Sequence, residues 1–174
     1  MVCAATAFVF QQWSRSCSRL PGRICEILRS EGGAVTEQIL FVDDEKSVLD
    51  GIERLLYGEF NINKALDANQ GLASIQLFGP YAIVVSDMRI PGINGARFLA
   101  RVHQLSPNTV TMLLTGYRDL DAAIVALNEG HIFRYLKKPC KKEDLVTALN
   151  LGLAQYRTNL AQSGSQSHGV ALHL

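Results

Sequence analysis

At 174 residues, with 48% hydrophobic and 19% charged side chains, the chain has room for one ordinary domain plus tails. A formal net charge of +1 removes any global electrostatic case for nucleic-acid or membrane binding. No apolar run reaches the roughly 20 residues of a membrane helix, and Cys3, Cys17, Cys25 and Cys140 form neither a C-x-x-C pair nor a metal-spaced set with histidine, so they read as reduced cytoplasmic thiols.

Residues 1–36 read as an N-terminal extension. Its start, MVCAATAFVFQQW, is apolar but short and lacks the cationic first region of a signal peptide. Arg15, Arg19 and Arg23, with serines and no acid before Glu26, resemble a transit peptide. The stretch SEGGAV favours a plainer reading. Codons for Glu-Gly-Gly can spell a purine-rich ribosome-binding site, and Val35 can be a GTG start. The expectation is a disordered or upstream-translated extension, with the ordered protein beginning near Val35.

From residue 38 short β-rich apolar runs alternate with segments of helical period. The runs are QILFV (38–42), INKAL (in the 61–66 region), AIVVS (82–86), TVTMLLT (109–115) and IFRYL (132–136). Between them Val48, Ile52, Leu55 and Leu56 share a helical face, as do Leu72 and Ile75, then Phe98, Leu99, Val102 and Leu105, then Leu120, Ala123, Ile124 and Leu127. A fifth helix carries Leu145, Leu149, Leu153 and Tyr156. Gly58, Gly79-Pro80, Pro91-Gly92, Pro107-Asn108, Gly130 and Pro139 punctuate the joins. Five strands alternating with five helices predict an α/β domain over 37–158, a parallel sheet covered on both faces. Asn61, Asn63 and Lys64 mark the second run as an edge strand. Residues 159–174, rich in Ser, Gly and Gln, are expected to be a disordered tail.

In an open parallel sheet the ligand site lies beyond the carboxyl ends of the strands, at the switch point. The first strand ends in Asp43-Asp44, the third in Ser86-Asp87 and the fourth in Thr115-Gly116, while Lys137-Lys138-Pro139 follows the fifth. With strand order 2-1-3-4-5 these groups converge on one crevice. Three carboxylates there raise one another's pKa unless a cation joins them. A hard divalent ion suits oxygen ligands, and Mg²⁺ in particular keeps waters and binds alongside a phosphate.

Four motifs, FVDDE, VVSDMRIPGING, LLTGY and FRYLKKP, stand in order on the expected elements. Over about 38–157 the chain resembles the receiver domain of two-component response regulators. The resemblance implies a flavodoxin-like doubly wound sheet and a phosphoacceptor, Asp87. It implies Mg²⁺ held by Asp44, Asp87 and the backbone carbonyl of Arg89, with Asp43 acting through water. Thr115 and Lys138 are implied to meet phosphoryl oxygens, and Tyr135 to be the rotating aromatic switch. The Lys138–Pro139 bond is implied to be cis. The implied partners are a sensor histidine kinase or phosphotransfer protein and a downstream target, with a homodimer through the fourth helix, fifth strand and fifth helix also open. Asp119, Asp121, Arg134, Lys137 and Lys141 lie on or near that face. No turnover enzyme is implied, only the chain's own phosphorylation and dephosphorylation.

Each residue also has a plainer explanation. Asp44 alone reads as a cap for the helix from Glu45, which leaves Asp43 unexplained. Asp87 reads as a loop residue, Thr115 as a strand-end hydroxyl and Tyr135 as edge packing. Lys138 reads as part of a solvated run with Lys137, Lys141 and Lys142. The conjunction outweighs these. Haloacid-dehalogenase-type phosphatases also use an aspartyl phosphate, but resemble Asp-x-Asp at the nucleophile. Met88 and Arg89 follow Asp87, so no second acid is present for turnover. A pseudo-receiver scaffold is a further alternative. About 17 residues follow the last helix, too few for an output domain, so the output is expected in trans unless the chain is a receiver fragment. The stretch from Met112 to Cys140 resembles receivers that precede HD-type phosphodiesterase modules.

Overall fold

The computed structural model describes residues 37–116 and 132–166. In chain order the elements are β1 (Gln38–Val42), α1 (Lys46–Leu55), β2 (Asn61–Ala65), α2 (Ala68–Phe78), β3 (Ile83–Asp87), β4 (Arg89–Ile90), β5 (Ile93–Asn94), α3 (Gly95–Leu105), β6 (Val110–Thr115), β7 (Arg134–Lys137) and α4 (Lys142–Gln166). The main sheet has the order β2-β1-β3-β6-β7, and its pairings are all parallel. With the two short strands β4 and β5 set aside, that is the expected 2-1-3-4-5 order of a doubly wound sheet.

Alternation along the strands explains the two layers. Ile39, Phe41, Ile83, Val85, Met112 and Leu114 face one way, onto Leu49, Ile52 and Leu56 at α1 and Leu145, Leu149 and Tyr156 of α4. Leu40, Val42, Val84 and Leu113 face the other way, onto Ala68 and Ile75 of α2 and Phe98, Leu99 and Val102 of α3. A strand buried on both faces has no polar alternation, which is why β1, β3 and β6 read as continuous apolar runs. The edges β2 and β7 are more exposed. Lys64 of β2 pairs with Asp50 at 2.8 Å and Glu53 at 2.6 Å, covering that edge with charge from α1.

Several details differ from the sequence reading. Four of the five expected helices are described, and the one expected around Leu120–Leu127 lies outside the described residues, as do Asp119, Asp121, the extension 1–36 and residues 167–174. The last helix runs to Gln166, eight residues past the expected boundary at 158, so residues 159–166 of the expected tail are helical. The reason is polar anchoring, which an apolar pattern does not report. Asn159 Nδ2 donates to the Asn108 carbonyl at 3.0 Å, and Ser163 Oγ lies 2.7 Å from Asn108 Oδ1. Leu105 is 49% exposed although it shares the apolar face of Phe98 and Val102. The short antiparallel hairpin β4–β5 was not expected. Pro91 and Gly92 make its turn, with Gly92 at φ 84°, the left-handed geometry that the third residue of a type II turn needs.

Candidate functional site

The carboxyl end of β1 delivers Asp43 into the protein rather than to solvent. Its N–H donates to the Ala65 carbonyl at 3.1 Å, continuing the ladder to β2 by one residue, and Asp43 is 2% exposed. Asp43 Oδ1 accepts the Glu45 N–H at 3.0 Å. Glu45 is the N-cap of α1 and makes no side-chain cap bond, so the capping explanation for Asp44 does not describe this helix start. β3 ends in Asp87, whose Oδ2 accepts the Arg89 N–H at 2.9 Å. From the far edge, β7 brings in Lys138. Its N–H donates to the Thr115 carbonyl at 2.8 Å, and the Lys138–Pro139 bond is cis, as the resemblance implied.

The Lys138 ammonium then bridges the two acids, 2.5 Å from Asp43 Oδ2 and 3.0 Å from Asp87 Oδ1. Burial works against its charge, but the hydrogen bonds and charges of Asp43 and Asp87 outweigh burial and hold its pKa above the ordinary lysine value. Such a bridge fixes two side chains that come from strands at positions 43 and 87 by a group at 138, and no short sequence window contains it.

Asp44, by contrast, is exposed, and the Lys138 bridge does not include it. Among the described residues no three His, Cys, Asp or Glu side chains gather closely enough to hold a metal by side chains alone. Of the three carboxylates expected in the crevice, the structure therefore gathers two, Asp43 and Asp87, on Lys138 and leaves Asp44 exposed. The donor chemistry suits a hard divalent ion. All the offered atoms are oxygen, and the two gathered carboxylates against one ammonium leave an excess of one negative charge. An ion that takes few protein ligands and retains water fits that set.

Thr115 is fully buried at the end of β6, and its hydroxyl meets the Gly116 carbonyl at a long 3.4 Å. Tyr135 stands on the edge strand β7 at 36% exposure, beside a surface cavity of about 440 Å³ lined by Phe133, Arg134, Leu136, Asp144 and Thr147. Three groups around Asp87 were not singled out from the sequence: the Arg89 N–H, the Ser86 hydroxyl, which donates to the Asp87 carbonyl at 2.8 Å, and Gly95. Gly95 is visible in the sequence only as the second glycine of IPGING.

A family model described as the response regulator receiver domain matches residues 39–150. The chain is 32% identical over 108 residues to the hydrogenase transcriptional regulatory protein HoxA of Cupriavidus necator, covering 62% of this chain and 22% of that one. It spans between 22% and 36% of the length of several curated relatives that it matches. A solved structure titled as an adenylate cyclase from Rhodopirellula baltica superposes with a TM-score of 0.70 at 36% identity, covering 79% of this chain and all of that one. The signal receiver domain of an HD domain-containing protein from Pseudomonas fluorescens gives 0.67 at 34% identity, covering 75% and 98%. With the strand order, the acid–lysine crevice and a family match over more than half its length, this chain belongs to the response regulator receiver domain family.

Proposed function

We propose that Asp87 accepts a phosphoryl group from a phosphohistidine on a sensor histidine kinase or phosphotransfer protein, in an Mg²⁺-dependent reaction. The observation that carries this reading is the Lys138 ammonium held between Asp43 and Asp87. It offsets the charge of the nucleophile and stands where phosphoryl oxygens would need a fixed cation. An Asp87 carboxylate oxygen forms the new O–P bond as the P–N bond to the donor imidazole breaks. The imidazole leaves with that electron pair and takes up a proton. Lys138 turns toward a phosphoryl oxygen, and the Thr115 hydroxyl donates to another. Asp44, Asp87 and the Arg89 carbonyl, with Asp43 through water, would hold Mg²⁺, which would supply the divalent charge that lets a carboxylate approach an anionic phosphorus.

The resulting acyl phosphate is a timed signal, and the chain turns over only its own phosphorylation and dephosphorylation. Its action is cytoplasmic, and the phosphorylated form changes the binding of a partner in trans. A second reading comes from the relatives' length: because the chain spans a minor part of them, it serves as the receiver of a longer regulator with its own output domain. Among the described residues no helix is long and apolar enough to cross a membrane.

Incubation with acetyl phosphate and Mg²⁺, read by intact mass, tests the chemistry. The wild-type chain is expected to gain one phosphoryl group, lost on adding EDTA beforehand. Asp87→Asn is expected to gain none while keeping its fold by circular dichroism. Normal labelling of that variant would move the acceptor elsewhere.

A further inference from the structure

We infer that Gly95 and Ser86 are positioning residues for Asp87, clamping its main chain so that its carboxylate and the neighbouring Arg89 carbonyl keep their mutual geometry. This rests on the proposed role of Asp87. Gly95 opens α3 immediately after the β4–β5 hairpin, and its N–H donates to the Met88 carbonyl at 2.9 Å. A Cβ on Gly95 would run into the Asp87 carbonyl oxygen and would lie 2.9 Å from the Asp87 carbonyl carbon. The obstacle is backbone, which cannot swing aside as the end of a long side chain can. The fully buried Ser86 hydroxyl donates to the same Asp87 carbonyl at 2.8 Å.

The Asp87 carbonyl is thus held by the Ser86 hydroxyl, and the space between it and position 95 admits no side chain. The loop that Asp87 leads into is closed by the Arg89↔Asn94 and Ile90↔Ile93 pairs. Asn94 completes the frame, accepting the Ala96 N–H at 2.8 Å as the N-cap of α3. A methyl at 95 must push the Asp87 carbonyl away. That displaces the backbone on which both the carboxylate and the Arg89 N–H that holds it are mounted. Neither Gly95 nor Ser86 meets the phosphoryl group. Both act through Asp87.

Gly95→Ala and Ser86→Ala are compared with Gly152→Ala, a buried glycine of α4 packed on Met112 and Ile83, away from Asp87. Thermal midpoint, phosphorylation rate at saturating acetyl phosphate, and the Mg²⁺ concentration for half-maximal rate are measured on each. A displacement of about an ångström at a reacting group costs up to about a hundredfold in rate. The clamp therefore predicts a roughly tenfold or greater loss of saturated rate in Gly95→Ala, a smaller loss in Ser86→Ala, and a raised Mg²⁺ requirement in both. Gly152→Ala is expected to lower the midpoint with neither kinetic change. If Gly95→Ala does not fold, Ser86→Ala decides. Wild-type rate and Mg²⁺ requirement in either folded variant would overturn the clamp, as would equal kinetic changes in Gly152→Ala. Failure of the wild-type chain itself to label on Asp87 would instead remove the functional reading beneath it.

Discussion

Lys138 is the residue on which the most interactions of the crevice converge. It balances a nearly fully buried Asp43 side chain, 3% exposed, and an Asp87 side chain at 12%. Removing one partner of a buried ion pair typically costs about 3–5 kcal/mol. Lys138 itself keeps 21% of its side chain in solvent, so Lys138→Met is expected to cost less, on the order of 1–3 kcal/mol in urea unfolding. Its pKa is raised above the ordinary 10.5, so the stabilisation is fully present below that value and is lost as the pH rises through the higher folded-state value. The gap between wild type and Lys138→Met should then stay flat from neutral pH to about pH 10 and narrow only above it. A gap that closes near pH 8 would count against the charged bridge.

The same residue shows what a sequence conceals. Lys138 reads in the sequence as one of four lysines in a basic run, and its chemistry comes from Asp43 and Asp87, 95 and 51 positions earlier. The motifs singled it out by resemblance, while the distances that give it work are tertiary. Asp44 shows the reverse. Adjacent acids in FVDDE look equivalent on paper, but alternation at a strand end turns Asp43 inward and leaves Asp44 exposed.

At the scale of elements, α4 carries the largest departure from expectation. Its last two turns are held by the Asn159 and Ser163 contacts to Asn108 and by the Gln155–Asn159 side-chain bond of 2.8 Å. Asn159→Ala removes two of these hydrogen bonds. The expected loss is local and about 1 kcal/mol. Amide exchange should speed up over 160–166 and stay unchanged over 142–150, because Leu145, Ala148 and Leu149 remain in the core. Unchanged exchange after Asn159 would mean that these contacts do not hold the helix end. On α1, the pattern pointed to Val48 as a core position, yet Leu49 is buried and Val48 only partly so. An apolar stripe wider than 100° leaves its centre undecided, and the sheet's own relief decides it.

For the whole molecule, the proposal is that events at the crevice reach the β7 edge. The Thr115 hydroxyl sits 3.4 Å from the Gly116 carbonyl and Tyr135 stands partly in solvent, and the proposal gives each a second position on phosphorylation. A phosphoryl group on Asp87 biases that choice only through its differential contacts with the two states. Thr115→Ala should still be phosphorylated, since Asp87 and Lys138 remain, but should lose phosphorylation-dependent partner binding. Full partner affinity in the phosphorylated variant would rule out the Thr115–Tyr135 coupling. Domain limits belong to this scale too. A chain starting at Val35 retains Glu37, whose carboxylate takes both bonds of Arg157, at 2.8 and 2.6 Å, tying the entry of β1 to α4. It is expected to keep the thermal midpoint within about 4 °C, a change under about 1 kcal/mol, because that pair remains, and to keep its phosphorylation. A large fall in the midpoint would show that residues 1–34 belong to the fold.

By itself the sequence determined the class of the fold, the number and rank of the main strands, and the family. Apolar runs of strand length alternating with helical stripes allow little else once both faces of a parallel sheet must be covered. Only the tertiary structure decided which acid enters the crevice, how far α4 runs and why residue 95 must be glycine. Those outcomes rest on hydrogen bonds, ion pairs and close backbone approaches between distant segments. Periodicity reports which side of an element is apolar, and the partner met by each polar atom is set by how those elements pack.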